Sequence, residues 1–133
     1  MKTLILVLAL MALNANIMFA QTRQQLRDSL SAASEALSFH PDSLNLRLRK
    51  ASWNVQLEEW QYARYEYDYV LRRDPNNLAA LFYRAFVNEQ QKRYKFARLD
   101  YEHLLSLVPG NFEATLGLAL LNQKDVTILR LWT

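Results

Sequence analysis

Pro41, Pro75 and Pro109 stand 34 residues apart, and the stretches before the last two align without a gap. Shifted by 34, residues 60–71 lie on residues 94–105, so that Ala63 meets Ala97, Arg64 meets Arg98, Tyr67 meets Tyr101 and Leu71 meets Leu105. Ala51 likewise meets Ala85, and Asn77 meets Asn111. Self-similarity at this period predicts stacked helical hairpins. One hairpin cannot bury its apolar face alone, and the next one laid on it completes the core. A chain of this kind presents a surface for binding rather than an enclosed pocket for chemistry.

The local patterns agree with the period. Residues 22–39 read as a helix, with Leu26, Leu30, Ala33 and Leu37 on one face. His40-Pro41 breaks it, because proline disfavours helix in the residue before it, and Asp42 or Ser43 can cap the second helix. Residues 44–57 form that helix, with Leu44, Leu48, Ala51 and Val55 along one stripe. Glu58 and Glu59 start the turn and are expected to cap the start of the helix at 60–73, where the helix dipole favours negative charge. Residues 78–92 and 94–108 repeat the pair, and 112–124 begins a third. Small residues are expected where the helices approach most closely: Ala51 with Ala63, and Ala85 with Ala97. Trp60 and Tyr94 open the second helices, and Tyr67 and Tyr101 lie two turns on. These rings are expected to pack between hairpins. Pro75 and Pro109 close the two copies.

The first twenty residues read differently. Lys2 precedes a ten-residue apolar run, Leu4 to Leu13, and Ala20 offers a small residue at a cut before Gln21. This is the pattern of an export leader. The uninterrupted run is shorter than the roughly 18 residues of a spanning helix, and Asn14 and Asn16 interrupt the apolar character beyond it. Removing 1–20 leaves 113 of the 133 residues, one modest domain, with no membrane span expected in it. Losing Lys2 lowers the formal charge from +3 to +2, too little to argue for nucleic acid. With no cysteine in the chain, stability must come from packing, without disulfides.

At residue level the second helices resemble those of the tetratricopeptide repeat (TPR) family, in its secreted or periplasmic bacterial type. An Ala, an aromatic four residues later and then a Pro occur twice, as Ala63, Tyr67, Pro75 and Ala97, Tyr101, Pro109. The turn Asp74-Pro75-Asn76-Asn77 is also of the family's kind. The first helices depart from it. Where the family favours Trp, Leu, Gly and Tyr, this chain has Arg47, Lys50, Ala51, Asn54 and Leu81, Arg84, Ala85, Asn88. The resemblance covers residues 22–124 and implies an all-α, right-handed superhelical stack of antiparallel hairpins. Its divisions are a leader at 1–20, a degenerate half-repeat at 21–43, repeats at 44–77 and 78–111, and an incomplete repeat at 112–124. Residues 125–133 form a divergent tail.

The resemblance further implies protein or peptide binding on a concave face lined by the first helix of each pair. That places Leu48, Ser52, Val55 and Gln56 in the groove, then Phe82, Tyr83, Phe86, Glu89 and Gln90, then Glu113, Leu116, Leu120 and Lys124. Phe82 and Phe86, one turn apart, are suited to an apolar anchor; the competing reading packs both rings into the core. Some family members grip a C-terminal carboxylate with Lys, Asn and Arg. The corresponding places here hold Leu48, Ser52 and Tyr83, so binding of that kind is not expected.

The third copy stops matching after Lys124. Asp125 to Thr133 carries two adjacent β-branched residues, Val126 and Thr127, which lower helix preference. Truncation of a longer repeat protein is one expectation. Others are an artificial boundary, a tail docked on the chain or on a partner, and self-association through residues 116–121 and 128–132. The basic residues, Arg47, Lys50, Arg64, Arg84 and Arg93 among them, alternate with Glu58, Glu59, Glu66, Asp68 and Asp100. That mixture reads as a solvated exterior with weak local ion pairs. Catalysis has no support. His40 and His103 have no partner at metal-ligand spacing, two glycines are too few for a phosphate loop, and no cofactor is implied.

Overall fold

The computed structural model describes the backbone of residues 1–132 and the side chains of all of these except 125–129. Among the described residues six helices run in order: α1 Lys2–Phe39, α2 Leu44–Gln56, α3 Trp60–Arg73, α4 Leu78–Gln90, α5 Tyr94–Leu107 and α6 Phe112–Trp132. Each packs on the next in sequence. The described chain is an all-α stack of antiparallel hairpins, α2–α3 and α4–α5, flanked by α1 and α6.

The same local devices recur every 34 residues. Ser43, Asn77 and Asn111 each precede a first helix. The Ser43 Oγ accepts from Leu46 N at 3.3 Å, Asn77 Oδ1 from Ala80 N at 2.9 Å, and Asn111 Oδ1 from Ala114 N at 2.8 Å. Each cap satisfies one of the amides a helix start leaves without a partner. Inside each hairpin the chain reverses through a left-handed residue, Glu58 at φ 59° and Lys92 at φ 58°. The next amides, of Glu59 and Arg93, donate to the carbonyls of Asn54 and Asn88, both at 2.8 Å. Glu59 makes no side-chain cap on α3, contrary to the expectation for the Glu pair. Its carboxylate instead takes Arg27 Nη1 at 3.0 Å and Asn54 Nδ2 at 3.3 Å.

The core is built from the repeat's small and aromatic residues. Ala51, Ala63, Ala85 and Ala97 have no exposed surface, and Tyr67 and Tyr101 are buried beside them. Trp60 and Tyr94 are partly buried against this cluster. Pro75 and Pro109 lie exposed in the turns.

Two further features differ from the sequence reading. The first concerns the tail. The helix expected at 112–124 runs on to Trp132. The hairpin turn would repeat at residues 125–127, and the left-handed position, after Glu58 and Lys92, falls on Val126. A β-branched residue is strongly disfavoured at positive φ, so the helix continues. Thr133, the last tail residue, lies outside the described residues.

The second concerns the leader. Residues 2–20 are continuous with the helix at 22–39, every one is exposed, and α1 is long and apolar enough to cross a membrane. The most apolar 18-residue window, at mean hydropathy 2.1, contains no buried residue. Length therefore does not separate a leader from a span.

Candidate functional site

The first helices α2, α4 and α6 supply the residues expected to meet a partner. On α2, Leu48 and Val55 are partly buried and Ser52 is exposed. On α4, Phe82 and Phe86 are partly buried against the core. The Phe82 ring lies edge-on to Tyr83 at 5.2 Å and tilted against Tyr101 at 6.1 Å, and Phe86 lies edge-on to Trp60 at 6.0 Å. Such contacts hold the rings in place. Tyr83 is 44% exposed and stacks on Tyr67 at 6.1 Å. On α6, Leu116 and Leu120, one turn apart, are each 46% exposed.

Glu89 is committed elsewhere. Its Oε1 accepts from the Tyr101 hydroxyl at 2.6 Å and its Oε2 from Lys124 Nζ at 3.1 Å, tying α4 to α5 and α6. Burial first, and this bond second, push the Tyr101 hydroxyl well above its ordinary pKa.

The interior of each hairpin holds ions that a solvated-exterior reading missed. Glu66 is 2% exposed and receives Arg47 Nη1 at 2.9 Å and Lys50 Nζ at 3.1 Å. In the next hairpin Arg84 grips buried Asp100 with two bonds, Nε to Oδ2 at 2.8 Å and Nη2 to Oδ1 at 2.7 Å, and reaches Asp68 Oδ1 at 3.0 Å. The bond to Asp100 leads the causes that raise the Arg84 pKa. These cations occupy places where the family would put apolar residues, so a carboxylate must enter the hairpin with each of them. The missed signal was present: Lys50 to Glu66 and Arg84 to Asp100 are both 16 residues apart and related by the 34-residue period. Arg47 also stacks on Tyr69 at 3.4 Å, opposite Arg73 at 3.7 Å, which secures the first turn.

No family model matches the chain, and no curated protein matches its sequence. Solved structures do match. A tetratricopeptide repeat protein from Parabacteroides merdae aligns at TM-score 0.74 and 25% identity over 80% of this chain. The fold is that of tetratricopeptide repeats. This chain spans 42% of the length of the Parabacteroides protein. The first TPR of Spaghetti (RPAP3), bound to the HSP90 peptide SRMEEVD, aligns at TM-score 0.73 and 22% identity, covering 85% of this chain and 88% of that one. The second TPR domain of human RPAP3, in complex with the HSP70 peptide SGPTIEEVD, aligns at 0.68 and 16%, covering 82% and 89%. At these identities the likeness establishes the TPR-like arrangement of stacked helical hairpins.

Proposed function

We propose that this chain is an exported scaffold that holds a protein or peptide segment on the inner face of its TPR-like stack. The observation that carries the reading is the apolar pair Leu116 and Leu120, nearly half exposed on α6. Phe82 and Phe86 on α4 supply a second apolar pair one turn apart. Two such pairs suit a ligand that presents apolar side chains at helical or extended spacing. Peptide-bound TPR neighbours support the role. The ligand differs from theirs in its anchor: with Leu48, Ser52 and Tyr83 at the carboxylate-clamp places, contacts here are apolar and no free C-terminus is required. The apolar segment at 1–20 serves as the export leader, placing the domain in a periplasm or outside the cell. The role is binding, without catalysis or cofactor.

A photo-crosslinking residue at 116 or 120, introduced in the native host, tests the groove. Discrete adducts at these positions and none at exposed Gln25 are expected; their absence at 116 and 120 overturns the reading. N-terminal sequencing of the exported protein tests the leader, with Gln21 expected first and Met1 the refuting result. Leu131 and Trp132, at 81% and 86% exposure on the last turn of α6, favour self-association as an added property. A mass that grows with concentration would support it, and a constant monomer mass would exclude it.

A further inference from the structure

We propose that the groove formed by α3, α4 and α5 binds a peptide segment through one carboxylate side chain flanked by an apolar residue. The groove has a cavity of 290 Å³ lined by Arg64 from α3, Arg84 and Asn88 from α4, and Arg93, Phe96 and Asp100 at and along α5. That volume takes one or two side chains and is at the small end of ligand pockets, which start near ~300 Å³.

The charges in it are of two kinds. Arg84 is neutralised by Asp68 and Asp100. Arg64 and Arg93 have no carboxylate within ion-pair distance among the described residues. Arg64 Nη1 donates to Gln91 Oε1 at 2.7 Å, and Arg93 lies 4.4 Å over the Phe96 ring. Burial, followed by the nearby Arg93 charge, lowers the Arg64 pKa, with the Asp68 charge opposing the shift. Asn88 is 3% exposed, and its Oδ1 has no hydrogen-bond partner; Asn54 Oδ1 in the first hairpin has none either. A buried amide oxygen without a donor costs stability.

The first hairpin shows what suits this register. Asn54 is the counterpart of Asn88, and Glu59 is the counterpart of Arg93, 34 residues earlier in each case. There the chain supplies its own carboxylate: Glu59 accepts from Asn54 Nδ2 and from Arg27. In the second hairpin Arg93 replaces it. The carboxylate is exchanged for a cation, so this position adds a positive charge near Arg64; the cation paired with Glu59 in the first hairpin, Arg27, corresponds to Gln61. A carboxylate from a bound segment restores the arrangement, with the segment's backbone N–H available to Asn88 Oδ1. Phe96 and Leu99, at 53% and 61% exposure on the rim, seat the neighbouring apolar side chain. Asp68 and Asp100 lie in the same groove, so a single negative charge fits better than a dianionic phosphate.

The test is an NMR titration of the protein with acetyl-Leu-Glu-Leu-amide, following the side-chain signals of Arg64, Asn88 and Arg93. The comparators are acetyl-Leu-Gln-Leu-amide and inorganic phosphate. Saturable shifts at these three residues are expected, with affinity about tenfold weaker for the Gln peptide, the loss of one charge-assisted contact. Arg64→Gln with Arg93→Gln should abolish the shifts. Should that pair disturb folding, Arg93→Glu alone decides: it recreates the first hairpin's own carboxylate and should block the peptide while helicity is kept. Equal binding of the Gln peptide, unchanged binding by Arg93→Glu, or shifts with phosphate alone would overturn the proposal.

Discussion

Gly117 offers a test in which two physical effects pull in opposite directions. It lies inside α6, where Gly→Ala ordinarily stabilises a helix by about 1 kcal/mol. A Cβ placed there would stand 2.5, 2.7 and 2.9 Å from Cζ, Cε2 and Cε1 of Tyr101. Carbon atoms rest comfortably at about 3.5–4.0 Å, so the ring must retreat by about 1 Å. It has little room. Tyr101 is 2% exposed, lies against Phe82, and its hydroxyl is held at 2.6 Å by Glu89. Overpacking of this kind costs about 1–3 kcal/mol, and loss of a hydrogen bond to a charged group about 1.5–3 kcal/mol. After the helix gain is subtracted, Gly117→Ala should destabilise the fold by about 1.5–5 kcal/mol. Urea denaturation followed by circular dichroism reads this directly. The same substitution in a Tyr101→Leu background removes the ring and should be neutral or stabilising, giving a large coupling between the two sites. A higher midpoint for Gly117→Ala alone, or an equal cost in both backgrounds, would refute the reasoning.

Three further outcomes are expected. Ala63→Leu and Ala97→Leu each place a larger side chain at a site with no exposed surface and should cost about 1–3 kcal/mol; unchanged thermal melting in both would refute the close approach. Glu66→Ala leaves Arg47 and Lys50 without their carboxylate and should cost about 3 kcal/mol in urea melts, whereas a loss under about 0.5 kcal/mol would mark the pair as no more than a surface ion pair. Tyr67 and Tyr101 are held protonated, each chiefly by burial, with pKa values above the ordinary range. Their contribution is full below about pH 10 and falls above it by about 1.4 kcal/mol per pH unit for each group, because the unfolded chain loses the proton first. Urea midpoints at pH 9, 10 and 11 should drop in that order, less steeply for Tyr101→Phe. A flat response would show that neither hydroxyl is shielded.

Much of the architecture was legible because the repeat writes the same local instructions twice. Ala63 and Ala97, Tyr67 and Tyr101, and Pro75 and Pro109 each need only their own neighbours to be understood. A small residue allows close approach, an aromatic ring fills the gap between layers, and a proline ends a helix. The candidate groove was legible only in part. Sequence spacing puts Phe82 and Phe86 on one helical face, but their distances to Tyr101 and Trp60 depend on how α4 meets α3 and α5. Glu89 was assigned to a partner, whereas it is held by Tyr101 and Lys124, twelve and thirty-five residues away. Local pattern carries no information on such pairs.

The sequence by itself determined the helical period, a cap at Asp42 or Ser43 and the places where the chain turns, since these depend on backbone preferences and contacts a few residues apart. Tertiary structure alone decided which charges are inside. Lys50 and Arg84 look like surface residues until the second helix of each hairpin brings Glu66 and Asp100 over them. It also decided that Gly117 must lack a side chain, because the Tyr101 ring occupies the space one would need. The physical reason is common to both: burial and steric exclusion belong to pairs of elements, and a residue acquires them only when another helix arrives.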